Sequence, residues 1–213
     1  MTERTIVHLL RHGEVHNPTG VLYGRLPDFH LSDLGREMAD RVAEVTKDRD
    51  IVEVTASPME RAQETAAPIA AAHSLDIGTD DDLVEASNIF EGKTVSVGDG
   101  ILKQPMMWRY LWNPLKPSWG EPYTEIAERM QRAVDAAKER ARGHEAVLVS
   151  HQLPVWTFRL AMEERRFAHD PRHRQCSLAS LTSFTYDDDR LASIIYTEPC
   201  ADLVARSTKG AGA

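Results

Sequence analysis

The chain has 213 residues, 42% hydrophobic and 27% charged, with 12 Gly and 11 Pro, which excludes collagen-like, low-complexity and wholly disordered classes. A formal net charge of -8 and a pI near 5.6 argue against nucleic-acid and anionic-membrane partners, which select basic surfaces. An anionic small substrate needs a local cluster of Arg or His here, because the global field repels it.

The length suits one domain, so residues 1–200 are expected to form it and residues 201–213 to be a frayed tail. Cys176 and Cys200 are too few for a disulfide framework and read as reduced thiols. The N-terminus lacks the apolar core of a signal peptide, and no window approaches the ~20 apolar residues of a membrane span. A cytoplasmic location is the expectation.

Residues 5–10 (TIVHLL) form a partly β-branched apolar run that breaks at Arg11-His12-Gly13, which predicts a strand feeding a tight loop. Residues 16–30 are punctuated by Pro18, Gly20, Gly24 and Pro27 and read as loop. Ser32 is an N-cap candidate, followed by Leu34, Met38, Val42 and Val45 on one helical face. A second strand at 51–55, the break Ala56-Ser57-Pro58 and a helix over 59–73 repeat the strand-loop-helix unit.

Residues 80–100 are acidic and irregular, and 101–120 are rich in Met, Trp and Pro, predicting mixed short helix and loop. A long helix is expected over 121–142, then a buried strand at 146–150 that stops at His151, then a helix over 154–162 opened by Pro154. Strands at 177–186 and 191–196 flank the polar turn Asp187-Asp188-Asp189. The order predicts a three-layer α/β fold, a mostly parallel sheet with helices on both faces. Ligands of such sheets bind outside the carboxyl ends of the strands. Three of those ends carry Arg11-His12, Ser57 with Arg61 beyond it, and His151.

Leu10-Arg11-His12-Gly13-Glu14 resembles the histidine phosphatase superfamily, in its phosphoglycerate mutase-like branch. Further segments agree in order: Gly24-Arg25, Leu31-Ser32-Asp33-Leu34-Gly35, Ser57-Pro58-Met59-Glu60-Arg61-Ala62-Gln63-Glu64-Thr65-Ala66, Leu83-Val84-Glu85 with Phe90-Glu91-Gly92, Gly120-Glu121 with Arg129, and Val149-Ser150-His151. The resemblance implies a metal-independent, cofactor-free phosphatase acting on small phosphate monoesters. His12 would be the nucleophile that accepts the phosphoryl group, Arg11, Arg61 and His151 would hold its oxygens, and Glu85 would be the general acid. Ser57, Asn17 and Gln152 join the list as substrate-binding candidates.

Two departures stand out. Family members commonly carry Asn six positions past the nucleophile, whereas Asn17 lies five past His12; and Gln152 replaces the usual Gly after the second histidine.

Glu91 and Glu14 compete with Glu85 for the acid's role, each with a solvated loop carboxylate as the plainer reading. His8, His12 and His16 sit at helical spacing, but in strand and loop that spacing does not converge on a metal. His169, His173 and Cys176 are broken by Pro171, and a solvated basic loop is the expected reading there. The insertion at about 86–120 resembles a lid, its Met106, Met107, Trp108, Tyr110, Trp112 and Trp119 either packing it or walling the substrate. A phosphoglycerate mutase, or a non-catalytic phosphate-binding module, is the alternative function.

Overall fold

Central strands buried on both faces decide the architecture of the computed structural model, which describes residues 3–89, 91–92, 120–170 and 173–207. The elements are β1 (Arg4–Arg11), α1 (Asp33–Thr46), β2 (Ile51–Ala56), α2 (Glu60–His73), β3 (Ile77–Thr79) and a 3-10 turn (Asp81–Leu83), then α3 (Tyr123–Arg140), β4 (Glu145–Ser150), α4 (Gln152–Met162), β5 (Leu181–Asp187), β6 (Arg190–Thr197) and α5 (Ala201–Val204). Among these residues one sheet runs in the order β3-β2-β4-β1-β5-β6. Its first four strands are parallel, and β5 and β6 extend it antiparallel. The expected α/β fold with a mostly parallel sheet is the one observed.

Because side chains alternate across a strand, each central strand feeds two cores. Leu10, Val147 and Val149 pack on one face with Met38, Val42, Ala62 and Ile69 of α1 and α2. Val7, Leu9, Ala146 and Leu148 pack on the other with Ile126, Met130, Val155 and Phe158 of α3 and α4. No helix among the described residues is long and apolar enough to cross a membrane.

Three elements depart from the expectations. The buried stripe of α1 is Gly35, Met38, Ala39, Val42, Ala43 and Thr46, so Val45 falls at its flank and is 50% exposed. The run from 177 begins with a turn in which Ser180 N donates to Ser177 O and Ala179 has φ 51, and the strand starts at Leu181. At the start of the expected tail, Ala201–Val204 form α5 and Leu203 is buried in the α1–α2 core beside Cys200. Both cysteines are free, and burial pushes each thiol up to about 11. The expectations for residues 93–119, including Trp108 and the rest of the aromatic insertion, lie outside the described residues.

One close approach aims the start of α1 at the loop behind His12. Ser32 caps the helix through Gly35 N (3.0 Å) and donates its hydroxyl to Glu14 Oε2 (2.5 Å). A Cβ on Gly35 would lie 2.0 Å from Glu14 O, and one on Gly13 would lie 2.6 Å from Gly35 O. Both contacts are with backbone, so the chain itself must move to admit a methyl group. Gly35→Ala is expected to lower stability in urea unfolding by about 1–3 kcal/mol, the range for overpacking a tight contact. An unchanged midpoint would show that the helix stands off without cost.

Candidate active site

The strand register brings the candidate residues to one rim. Arg11 pairs with Ser150 across β1 and β4, and Ala56 pairs with Val149 across β2 and β4. The next residues along each strand, His12, His151 and Ser57, therefore leave the sheet at the same level, with His12 N bonded to Ser150 O and Ser57 N to Val149 O. Helices α2 and α4 begin directly beyond β2 and β4, so their positive ends face the same rim.

His12 is 2% exposed. Its Nδ1 lies 2.8 Å from Gly13 O, and a carbonyl only accepts, so the proton sits on Nδ1 and Nε2 keeps its lone pair. Burial, then the charges of Arg61 and Arg11, holds its pKa well below the usual imidazole range. The ring is neutral at neutral pH. His151 lies beside it, ring centroids 5.1 Å apart, and burial with Arg61 lowers its pKa in the same way. Ser57 Oγ accepts from Met59 N (3.4 Å) and reaches His151 Nε2 (2.8 Å). With the hydroxyl donating to Nε2, the neutral ring carries its proton on Nδ1.

Arg11 and Arg61 are 3% and 0% exposed. Arg11 gives Nη1 to Cys176 O (2.7 Å), and Arg61 gives Nη2 to Gly24 O (2.6 Å). Arg61 also stacks over the Tyr23 ring at 4.8 Å. Arg11 Nε, Arg61 Nε and Nη1, and His151 Nδ1 are buried with no hydrogen-bond partner. Buried orphan donors are costly and rare; four of them around a free imidazole lone pair are a cradle for a tetrahedral anion.

Glu85 follows the 3-10 turn and is half-buried. Burial raises its carboxyl pKa, against the bond from Ala86 N and the charges of Arg61, Arg11 and Arg129. Its backbone is clamped from three sides: Arg25 Nε on Glu85 O (2.5 Å), Ser150 Oγ on Leu83 O (2.7 Å) and Arg129 Nη1 on Asp82 O (2.5 Å). Glu121 in turn binds both Arg25 and Arg129 at 2.8 Å. The rival carboxylates have other duties. Glu14 takes the Ser32 hydroxyl, and Glu91 Oε1 takes Asn88 N (3.1 Å).

The remaining candidates fall at different distances from this chemistry. Asn17 bonds Val21 through both ends of its amide, Nδ2 to O (2.9 Å) and Oδ1 from N (3.3 Å), and so shapes its own loop. Gln152 accepts from Arg174 Nη1 (3.1 Å). His8 spans Ser183 and Glu145 within the sheet, and His16 is exposed. In the 169–176 stretch His173 and Gln175 are exposed, as in a solvated loop, but His169 and Arg174 are half-buried and bonded to each other (2.8 Å). Tyr23, Arg174 and the Gly24 carbonyl were missed in the sequence. An aromatic and a carbonyl inside a Gly- and Pro-rich loop give no periodic signal, and only the resemblance at Gly24-Arg25 pointed there.

The chain is similar to known proteins in sequence and in fold. The uncharacterized protein Rv0525 of Mycobacterium tuberculosis is 60% identical over 201 residues, 94% of this chain and 100% of that protein. The probable phosphoglycerate mutase GpmB of Yersinia pestis is 30% identical over 81% of this chain and 82% of its own. The solved structure of phosphoserine phosphatase from Entamoeba histolytica in complex with 3-phosphoglyceric acid superposes with a TM-score of 0.73 at 22% identity, covering 92% of this chain and 98% of that one, and so shares the fold. With residues 7–197 matching the family description, the chain belongs to the histidine phosphatase superfamily (branch 1).

Proposed function

We propose that the protein is a metal-independent phosphatase that hydrolyses phosphate monoesters through a phosphohistidine on His12. The observation that carries this reading is the ring of buried, partnerless donors on Arg11, Arg61 and His151 around an imidazole whose tautomer leaves Nε2 unprotonated. Two guanidinium groups supply the positive charge that a metal ion supplies in other phosphoryl-transfer sites.

In the first step the Nε2 lone pair forms the N–P bond as the P–O ester bond breaks. The departing oxygen takes the Glu85 proton and leaves as an alcohol. In the second, Glu85, now a carboxylate, takes a proton from water as that water attacks phosphorus. The P–N bond breaks, inorganic phosphate departs, and both groups return to their starting states. Splitting the displacement lets the fixed donors stabilise the in-flight phosphoryl twice in the same place.

The 30% identity to a probable phosphoglycerate mutase favours a second reading, in which the phosphoryl group returns to a substrate oxygen before water intervenes. Phosphorus NMR separates the two, using purified protein in chelator with a pool of phosphate monoesters that includes 3-phosphoglycerate and a trace of 2,3-bisphosphoglycerate. Inorganic phosphate that grows in the wild type and not in His12→Ala is the expected result. Interconversion of 2- and 3-phosphoglycerate without free phosphate would make the protein a mutase. Activity lost in chelator would overturn the metal-free mechanism.

Glu85→Gln is expected to slow alkyl phosphates by about 100- to 10,000-fold, the usual span of general acid catalysis. Compared by kcat/KM, which reads the first step and not the water step that Glu85 also serves, para-nitrophenyl phosphate, whose leaving group needs no proton, should lose far less. Equal losses on both would remove Glu85 from the acid's role.

The pH profile follows from the two shifts. The lowered His12 pKa keeps the nucleophile neutral on the acid side of the ordinary imidazole value, and the raised Glu85 pKa keeps the acid protonated above the ordinary carboxyl value. Turnover of alkyl phosphates should fall on the alkaline side as Glu85 ionises and on the acid side as His12 takes a proton. In Glu85→Gln the alkaline limb should flatten; a limb of unchanged steepness and midpoint would assign it to another group.

A further inference from the structure

Outside the Arg11–Arg61 pair, the arginines near Glu85 are mostly neutralised. Arg25 and Arg129 share the Glu121 carboxylate, and Arg132 pairs with Asp82. Arg174 differs. Its Nε donates to His169 Nε2 (2.8 Å) and its Nη1 to Gln152 Oε1 (3.1 Å). Among the described residues it makes no ion pair, and no acceptor meets its Nη2.

Both holding groups are themselves fixed. His169 Nδ1 donates to Phe167 O (2.5 Å), so its Nε2 is an acceptor. Its ring packs 6.0 Å from Tyr123 and 5.9 Å from Trp156. Gln152 opens α4 directly after His151. Two neutral acceptors thus orient the guanidinium without cancelling its charge. That charge couples with Glu85 and Arg11, and Cys176, whose carbonyl holds Arg11, lies two residues along the same loop. Arg174 is therefore held at the edge of the site, by Gln152, the neighbour of His151, and on the loop whose Cys176 carbonyl holds Arg11. In a chain of net charge -8, a braced cation with no carboxylate partner is built for an anion from outside.

We infer that Arg174, held by Gln152 and His169, determines specificity by binding a second anionic group, carboxylate or phosphate, on the leaving part of the substrate close to its ester oxygen. The inference rests on the monoester reading above and narrows it to monoesters that carry a further negative charge. It also gives Gln152 a purpose, because a glycine at that position could not hold Nη1.

The test compares kcat/KM for 3-phosphoglycerate, propane-1,3-diol bisphosphate and glycerol 3-phosphate, which presents a neutral hydroxymethyl in place of the second anion. A charge-assisted bond predicts a wild-type preference of about 10- to 100-fold for at least one of the two probes that carry a second anionic group over glycerol 3-phosphate. The probe with the larger ratio identifies the anion. Arg174→Gln should bring the ratio close to one, Arg174→Lys should restore part of it, and Gln152→Gly, which leaves Arg174 in place, should lower it partway. A wild-type ratio near one, or one that survives Arg174→Gln, overturns the inference.

Calorimetric titration with the same three compounds separates this inference from the catalytic reading. If nothing is turned over, para-nitrophenyl phosphate included, yet the second anion tightens binding tenfold and Arg174→Gln erases that gain, the phosphatase reading falls and the Arg174 inference stands. Equal binding of all three compounds overturns the inference whether or not the protein is a catalyst.

Discussion

Two guanidinium groups are buried at the carboxyl end of the sheet without an ion pair among the described residues, and the surroundings of the site are arranged to tolerate that. Removing such a charge from water costs several kcal/mol even after relaxation. Arg11 and Arg61 recover part of it from one backbone carbonyl each, Cys176 O and Gly24 O, and Arg61 gains a further contact over the Tyr23 ring. The rest of their hydrogen-bonding capacity stays unspent on Nε and Nη1 atoms. A site of this kind sets aside stability for a ligand, because a tetrahedral dianion offers acceptors in several directions at once.

Holding the two charges in place requires loops from opposite ends of the chain. The turn at 177–180 and the Cys176 carbonyl close one side of Arg11. The Tyr23–Arg25 segment closes the other, with Gly24 O on Arg61 and the Arg25 side chain on Glu85 O. Thr65 ties the two halves together, accepting from Gly13 N and donating to Arg61 O. Nucleophile and cations are thus positioned by backbone groups, which have no rotamers to lose.

The parts legible in the sequence were those governed by periodicity or by resemblance. Alternating or continuous apolar runs located β1, β2 and β4, and with them the rim that carries His12, Ser57 and His151. What escaped has local causes. β3 is three residues long and contains Gly78, too short for a period to register. Residues 177–180 have the composition of a strand, but Ala179 at φ 51 turns the chain. Arg174 read as a surface charge because its partners, Gln152 and His169, are brought to it only by tertiary packing. Asn17 lies one position from the family's usual place, and its amide is engaged with Val21.

The acid and the nucleophile depend on opposite displacements that share one origin. Burial disfavours charge on both, pushing the Glu85 carboxyl up and the His12 imidazole down, so the protonated acid and the neutral base that the chemistry needs can coexist. The nearby cations reinforce the shift on His12 and oppose it on Glu85, which limits how much positive charge the site can hold. Arg25 and Arg129 are both needed to clamp the acid's backbone, and two more bare cations beside Glu85 would drive off its proton. Glu121, bonded to both, offsets part of their field while leaving their donors in use. The Glu121 carboxylate therefore lets burial decide the state of Glu85, and the clamp that positions the acid does not ionise it.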